Sequence, residues 1–440
     1  LNGNTGGKKV SCLKIVVAGL GTVGGHVVKR ILKRGNELSS RTGCCLEVVG
    51  AADPVEQARE ALSGSDVNLY EDALEMLDTE EADVFVELIG ATGVALEAVR
   101  MALDSGMDVV TANKELLAKR GPEIFELADK NDARIRFEAS VGGSIPVVRT
   151  VREALVDAEF EAIYGIINGT CNYILSRMEA ENQSFRGALK SAQEKGFAEA
   201  DPGYDIEGDD SAHKIAVLAS LAFGTPVPLG NIYCEGITKI TPAIIEDARQ
   251  LGYRIKLLGI AKKTGEGLDI RVHPTMVPRR SALAAVGNEY NAVYFESDPL
   301  GASMLYGKGA GGPATATAVI ADLISLAQEP GLSSAPGYFA ASSLKPIEVD
   351  DIKSRYYIRL KALDQPGVLS GVTRILGDKQ ISIETVIQHG RSAGQEVPVI
   401  LTTHQAREGD MRRATNEIEK LEMIGARPDV IRIEEELGEE

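Results

Sequence analysis

Apolar positions along this chain keep three rhythms in succession. The first is a series of short, unbroken apolar runs, at residues 13–18, 46–51, 84–88, 109–111 and 135–139, with stretches of helical periodicity between them. Runs too short for helices that alternate with helical spacing predict buried parallel strands joined by crossover helices, a doubly wound sheet. From Pro146 to about residue 297 the rhythm becomes mixed. Candidate strands at 163–168, 254–261, 268–274 and 292–296 are interspersed with several helices, which predicts an α+β domain. After a loop-like stretch at 333–353 that holds Pro336, Gly337 and Pro346, the order becomes strand (357–363), helix (368–376), strand (381–388), strand (397–402), helix (409–421), strand (430–434). That is a ferredoxin-like βαββαβ unit. The expected organisation is therefore a disordered lead-in at 1–11, a dinucleotide-binding domain at 12–145, and a substrate and dimerisation domain at 146–332 whose last part, about 301–332, returns to the first. A linker at 333–353 and a regulatory unit at 354–440 complete it.

Composition narrows the partners. A chain of 440 residues, 44% hydrophobic and 25% charged, has enough apolar material for several cores. Its net charge of −17 argues against nucleic acid and anionic membranes, which need clustered Lys and Arg. No apolar run approaches 18 residues, so no membrane span is expected. The five cysteines show no CxxC pairing, so neither a zinc ribbon nor a disulfide framework is expected, and a reducing cytoplasm is the simplest compartment.

Two segments carry chemistry. Gly19-Leu20-Gly21-Thr22-Val23-Gly24 follows the first apolar run and opens a helical pattern. In that context it is the dinucleotide turn of a Rossmann-like fold, with bare backbone at the pyrophosphate and a helix N-terminus facing its charge. Asp53 closes the second strand, where its carboxylate suits the ribose 2′-hydroxyl; Ala52 before it is not the Arg that clamps a 2′-phosphate. NAD is favoured over NADP on that ground, with Arg59 within reach. Thr92, in the glycine-rich exit from the 84–88 strand, is placed at the cofactor, or else caps the following helix. The second segment reads Gly196, Glu199, Asp201-Pro202, Asp205, Gly208, Asp209, Asp210 and Lys214. Asp210 and Lys214, four apart, share one helical face. On an open surface they form an ordinary ion pair; in a cleft they present an ammonium beside a carboxylate, with Glu199 approaching from the preceding loop.

The run Ala192, Gly196-Phe197-Ala198, Asp201-Pro202, Asp205-Ile206, Gly208, Asp210, Lys214 resembles the signature of homoserine dehydrogenases. The blocks Thr111-Ala112-Asn113-Lys114, 138–146, Asn168-Gly169-Thr170-Cys171-Asn172-Tyr173 and 307–313 resemble it too, and the C-terminal unit is similar to the ACT domains that many members append. The resemblance implies oxidation of L-homoserine to L-aspartate 4-semialdehyde with NAD or NADP, or the reverse reduction, in threonine and methionine biosynthesis. It implies Lys214 as catalytic proton donor, Gly196, Glu199 and Asp210 as substrate-binding groups, and Lys114 near substrate and nicotinamide. Gly19, Gly21, Thr22, Val23, Gly24, Asp53, Thr92 and Gly311, or its neighbour Gly312, are the implied cofactor contacts. It implies a sodium site at Glu138 with the carbonyls of Val141, Gly143 and Ile145; such oxygen ligands suit a hard cation. A homodimer or homotetramer is implied, with L-threonine as a feedback effector at Asp364-Gln365-Pro366-Gly367-Val368-Leu369.

Hydride transfer to an aldehyde builds negative charge on oxygen, so a cationic acid is required within hydrogen-bond reach. Lys114 and Lys214 are both candidates, but only Lys214 carries a carboxylate on its own helical face. Two other readings remain open. One is a non-catalytic amino-acid sensor on a nucleotide-binding fold. The other is an aspartate-semialdehyde dehydrogenase with Cys171 as nucleophile. The acidic residues 434–440 are expected to be solvated.

Overall fold

The computed structural model describes residues 12–328, 344–388, 394–435 and Leu437. The expected lead-in at 1–11 and the 333–343 part of the expected linker lie outside them. The chain divides into two compact units, one of residues 1–157, 216–229 and 305–343, the other of 158–215, 230–304 and 344–440.

In the first unit six parallel strands lie in the order β3-β2-β1-β4-β5-β6. They are β1 (Cys12–Ala18), β2 (Cys45–Ala52), β3 (Asn68–Tyr70), β4 (Val84–Glu87), β5 (Asp108–Thr111) and β6 (Ile135–Arg136). Ile15, Val17, Val84, Val86 and Val110 are buried against helices at Gly24–Thr42 and Gly312–Gln328, which is why these strands read as continuous apolar runs. Strand order reverses between β1 and β4, and ligands bind at such a switch point.

The second unit is built on a mixed sheet in the order β12-β11-β7-β9-β10-β17-β13-β15-β14. Its strands are β7 (Glu159–Ile166), β8 (Tyr233–Cys234), β9 (Tyr253–Thr264), β10 (Gly267–Pro278), β11 (Tyr290–Asp298), β12 (Gly301–Lys308), β13 (Lys353–Leu363), β14 (Ile383–Gln388), β15 (Glu396–Thr403), β16 (Ala406–Arg407) and β17 (Asp429–Ile433). Strands β13 to β17, with helices at Val368–Asp378 and Glu408–Ile418, make the βαββαβ unit around its own core of Tyr356, Ile358, Val372, Leu376, Leu401 and Ala414. The substrate-domain strands and the C-terminal strands form one hydrogen-bonded sheet, because β17 pairs in parallel with β10, Thr275 opposite Arg432 and Met276 opposite Ile433. Residues 345 and 347 bond to Leu268 on β10, so this end of the expected linker is tied down.

Three expectations are corrected. Cys12 and Cys45 are disulfide-bonded. They face each other at the first register position of β1 and β2, a proximity that comes from strand pairing and leaves no mark in sequence spacing. The 135–139 strand ends at Arg136, and Glu138–Ser140 is a 3-10 turn. Glu434 is buried rather than solvated, because Arg271, itself buried on β10, takes its carboxylate at 2.6 Å. Among the described residues no helix is long and apolar enough to cross a membrane.

Candidate active site

In the first unit the glycine turn is shaped by two close approaches. Gly19 has φ +91°, and a β-carbon there would lie 2.5 Å from the Leu88 carbonyl carbon; one on Gly24 would collide with the Gly19 carbonyl. Both contacts exclude a side chain, so the bare backbone of residues 19–24 opens directly onto the Gly24–Thr42 helix. Gly21 and Thr22 are exposed in that turn and Val23 is the residue before the helix. Asp53 follows β2 and faces the turn. One carboxylate oxygen accepts Leu20 N–H at 2.6 Å and the other accepts Val55 N–H at 2.8 Å. Arg59 folds back to donate to the Asp53 backbone carbonyl at 2.5 Å.

Glu87, a residue that sequence reading passed over, lies wholly buried at the end of β4. It accepts Ile89 N–H at 2.9 Å, Gly90 N–H at 3.3 Å and the Thr111 hydroxyl at 2.6 Å. Thr111 in turn accepts Asn113 N–H at 2.9 Å, and Asn113 caps the helix that begins at Lys114 and donates to the Ala91 carbonyl at 2.6 Å. One carboxylate thus fixes both the loop that carries Thr92 and the half-buried helix start at Lys114. Burial pushes its pKa up, against the opposing pull of Thr111 and the two amides. Thr92 precedes the Gly93–Asp104 helix without capping it through its side chain. Gly311 is exposed, and Gly312 presses on the turn: a β-carbon there would lie 2.7 Å from the His26 ring and 3.0 Å from the Thr22 side chain.

The expected cation residues are also in this unit. Glu138 is buried, and its two oxygens accept Val148 N–H at 2.9 Å and Arg149 N–H at 2.7 Å. Its own N–H donates to Asp322 at 2.8 Å. Burial, with the Asp322 charge beside it, raises Glu138 to about 7; burial raises Asp322 to about 6. Gly142 and Gly143 both have positive φ, and the tight 141–145 loop turns several carbonyls through a short stretch of backbone. The Ile145 carbonyl already accepts Val147 N–H at 2.7 Å. Among the described residues no cluster of three or more His, Cys, Asp or Glu suits a metal ion. Glu138 has the buried Asp322 beside it, and its own oxygens accept the Val148 and Arg149 amides; carboxylate and carbonyl oxygens of this kind suit a hard cation and not a transition metal.

In the second unit Asp210 and Lys214 lie in the Asp209–Phe223 helix. Lys214 Nζ donates to Asp210 at 2.7 Å and to the Ile167 carbonyl at 2.8 Å, and its side chain is only 14% exposed. The ammonium is therefore held in a polar recess and not in bulk solvent. Asn168 organises the recess. Its amide donates to Asp210 at 2.8 Å and to Asp205 at 2.7 Å, while its carbonyl oxygen caps the Gly169–Glu181 helix at Cys171 N–H. The Thr170 hydroxyl holds the Phe197 carbonyl at 2.6 Å, which ties the 196–200 loop to the same helix start. Gly196 and Glu199 are exposed on that loop. The structure thus brings Lys214 and Asp210 together with Asn168, Asp205 and Ile167, and leaves the Glu199 side chain at the surface. The sequence sign of the Asn168 hub was its place at the head of the Asn168-Gly169-Thr170-Cys171-Asn172-Tyr173 block. Cys171 is wholly buried, with its thiol against the Asp205 carbonyl at 3.1 Å. Burial drives its pKa well up, which opposes the thiolate a nucleophile needs. His213 turns its Nδ1 to the Asp209 carbonyl and the Tyr204 hydroxyl, beside the recess.

Residues 146–324 match the family model described as homoserine dehydrogenase, and 19–138 the model described as homoserine dehydrogenase, NAD binding domain. A homoserine dehydrogenase of Neisseria gonorrhoeae is 40% identical over 96% of this chain and 98% of its own. The chain belongs to the homoserine dehydrogenase family. Residues 356–422 match the ACT domain model, so the βαββαβ unit is an ACT domain. The crystal structure of a homoserine dehydrogenase from Thiobacillus denitrificans superposes with a TM-score of 0.90 at 39% identity, covering 97% of this chain and 99% of that one. A hyperthermophilic archaeal homoserine dehydrogenase in complex with NADPH has a TM-score of 0.61 at 25% identity, covering 72% of this chain and 97% of its own. The protein is an oxidoreductase that interconverts L-homoserine and L-aspartate 4-semialdehyde by hydride transfer with a nicotinamide cofactor.

Proposed function

We propose that Lys214 is the proton donor in aldehyde reduction and the acceptor in alcohol oxidation. The observation that carries this is its ammonium held by Asp210 and the Ile167 carbonyl in a recess largely shielded from water. Asp210, fixed by Asn168, holds the amine in place where an alkoxide would develop. Glu199 and Gly196 contribute from the exposed loop, where Glu199 suits the substrate ammonium, and Lys114 is a second cation for the substrate and nicotinamide. Replacing Lys214 with Ala is expected to lower kcat by about 10²–10⁴-fold in enzyme that stays folded at the assay temperature, with a lower unfolding temperature because the buried Asp210 loses its cation. Loss of the absorbance change at 340 nm scores it, and retained turnover would assign the proton to another group.

The cofactor is bound by residues 19–24, Asp53, Thr92, Lys114 and Gly311. Asp53 at the ribose edge favours NAD, while the related archaeal enzyme was solved with NADPH. A sodium ion is assigned to Glu138 with the carbonyls of Val141, Gly143 and Ile145, where it supplies charge balance for a buried carboxylate. In this reading residues 12–145 bind the cofactor, 146–332 bind substrate and form the dimer, and 354–440 regulate. L-threonine is the feedback effector, at the Asp364–Leu369 turn. A homodimer or homotetramer in the cytoplasm completes the assignment; Leu300, Met304 and Tyr306, exposed on and beside the edge strand β12, offer apolar area for it.

A further inference from the structure

Where β17 joins β10, the ACT domain and the substrate segment meet at one buried guanidinium. Arg432, 4% exposed, donates to both oxygens of Glu408 on the ACT helix, at 2.8 and 2.6 Å, and to Glu235 at 2.9 Å. It lies 4.5 Å from the Tyr233 ring centroid, and Tyr233 donates to the same Glu235 oxygen at 2.8 Å. The Tyr356 hydroxyl closes the other side by donating to Glu408 at 2.9 Å. The positions follow from register. Strand β8 pairs with β10 at Arg271 and Val272, and β17 pairs with it at Thr275 and Met276, so Glu235 and Arg432 come together along one edge.

The residues flanking Glu235 touch the substrate segment. Ile237 N–H donates to the Ile206 carbonyl at 2.9 Å, and the Cys234 thiol lies 3.4 Å from the Glu207 carbonyl. A β-carbon on Gly236 would sit 2.5 Å from the Glu207 Cα, so the two backbones are in direct apposition. Residues 205–210 then hold Asp205 and Asp210 against Asn168, beside Lys214. A cavity of about 350 Å³ flanks this joint, lined by Ile240, Ile244 and Pro274 on one side and Met411 and Thr415 on the other. The cavity leaves open space beside the Met411 and Thr415 face of the helix that carries Glu408.

We propose that Arg432 is a positioning residue that sets the substrate-binding segment through Glu235, so that the ACT domain acts on homoserine binding along this bridge. The proposal rests on the reading that residues 205–214 hold the substrate. Glu235→Ala cuts the bridge on the substrate side and leaves the Arg432–Glu408 pair intact; Glu408→Gln weakens it on the ACT side. Both variants, assayed as the full chain below their unfolding temperatures, are expected to raise the homoserine KM about fivefold with cofactor KM within about twofold, while the unfolding temperature falls because each leaves the buried Arg432 short of a charged partner. Glu235→Gln, which keeps an acceptor for Arg432, is expected to restore most of the loss. A folded Glu235→Ala enzyme with unchanged homoserine KM overturns the proposal, as does a Glu408→Gln enzyme whose only change is a lower unfolding temperature. Lys214→Ala, run alongside, separates the two ideas. If it turns over homoserine normally, the site assignment fails whatever Glu235 does; if it is inactive and the Glu235 and Glu408 variants keep the normal KM, only the bridge fails.

Discussion

Asp53 has a part in the fold beside the one proposed for it at the ligand. Its oxygens accept the amides of Leu20 and Val55, so the carboxylate proposed to face the ribose also fixes the glycine turn. Ala52, buried before it, adds no cation, and Arg59 is engaged by the Asp53 carbonyl. Asn in place of Asp53 keeps one acceptor oxygen and brings an NH2 towards an amide N–H. Losing a charge-assisted bond of about 1.5–3 kcal/mol predicts a rise of tenfold or more in the KM for NAD. The KM for NADP is expected to change much less, because a 2′-phosphate gains from removal of a facing carboxylate. Initial rates with both cofactors decide it: an equal rise for both would make Asp53 a turn residue only.

Among the elements, the 3-10 turn at Glu138–Ser140 departs most from what the apolar pattern announced. Ile135 continues the strand rhythm and Ala139 extends it in the sequence, yet Glu138 leaves the sheet to accept the amides of Val148 and Arg149. Periodicity reads apolar burial and is blind to a buried carboxylate held by distant amides. The same blindness hid β8, whose two residues are placed by Val272, and the Glu434–Arg271 pair. Long apolar runs such as β9 and β10, the glycine turn and the Asp210–Lys214 spacing were legible because each is set by its own neighbours in the chain. Asn168 was not, since its partners come from 37 and 42 residues away.

Glu138 and Asp322 also give this element a pH dependence. Both titrate above their unfolded values, to about 7 and about 6, chiefly through burial. The native state therefore holds protons that the unfolded chain has released. The stability they contribute is fully present below about pH 4 and is lost as pH rises to about 7. In sodium-free buffer the wild-type unfolding temperature is expected to fall from about pH 5 to about pH 8 more steeply than that of Asp322→Asn, which removes the facing charge. Added sodium is expected to raise the wild-type value more at the higher pH, where Glu138 is ionised. Equal slopes for the two proteins would deny the coupling of the two carboxyls.

For the whole molecule, the sheet shared by substrate domain and ACT domain makes the regulator part of the catalytic body's architecture. Arg271 on β10 is 2% exposed and draws on Asp269 at 3.2 Å within its own strand, and on Glu434 and Ser354 across the joint. Glu235 likewise takes Arg432 from β17. A chain ending at residue 343 would uncover the β10 edge at Thr275 and Met276 and strip Arg271 of two partners. Breaking a buried pair on one side costs about 3–5 kcal/mol, and an unpaired edge invites association. We expect the shortened protein to unfold roughly 10 °C lower than the full chain, since about 1 kcal/mol moves a domain of this size by about 2–4 °C. We also expect it to form larger assemblies in sedimentation. Substituting Arg271 with Met and Asp269 with Asn together in the shortened chain should recover part of the lost temperature, because neither an unpaired guanidinium nor an unpaired carboxylate is then left behind. If the shortened chain instead keeps the full unfolding temperature and assembly size, the β10–β17 joint contributes nothing to the stability of the catalytic body.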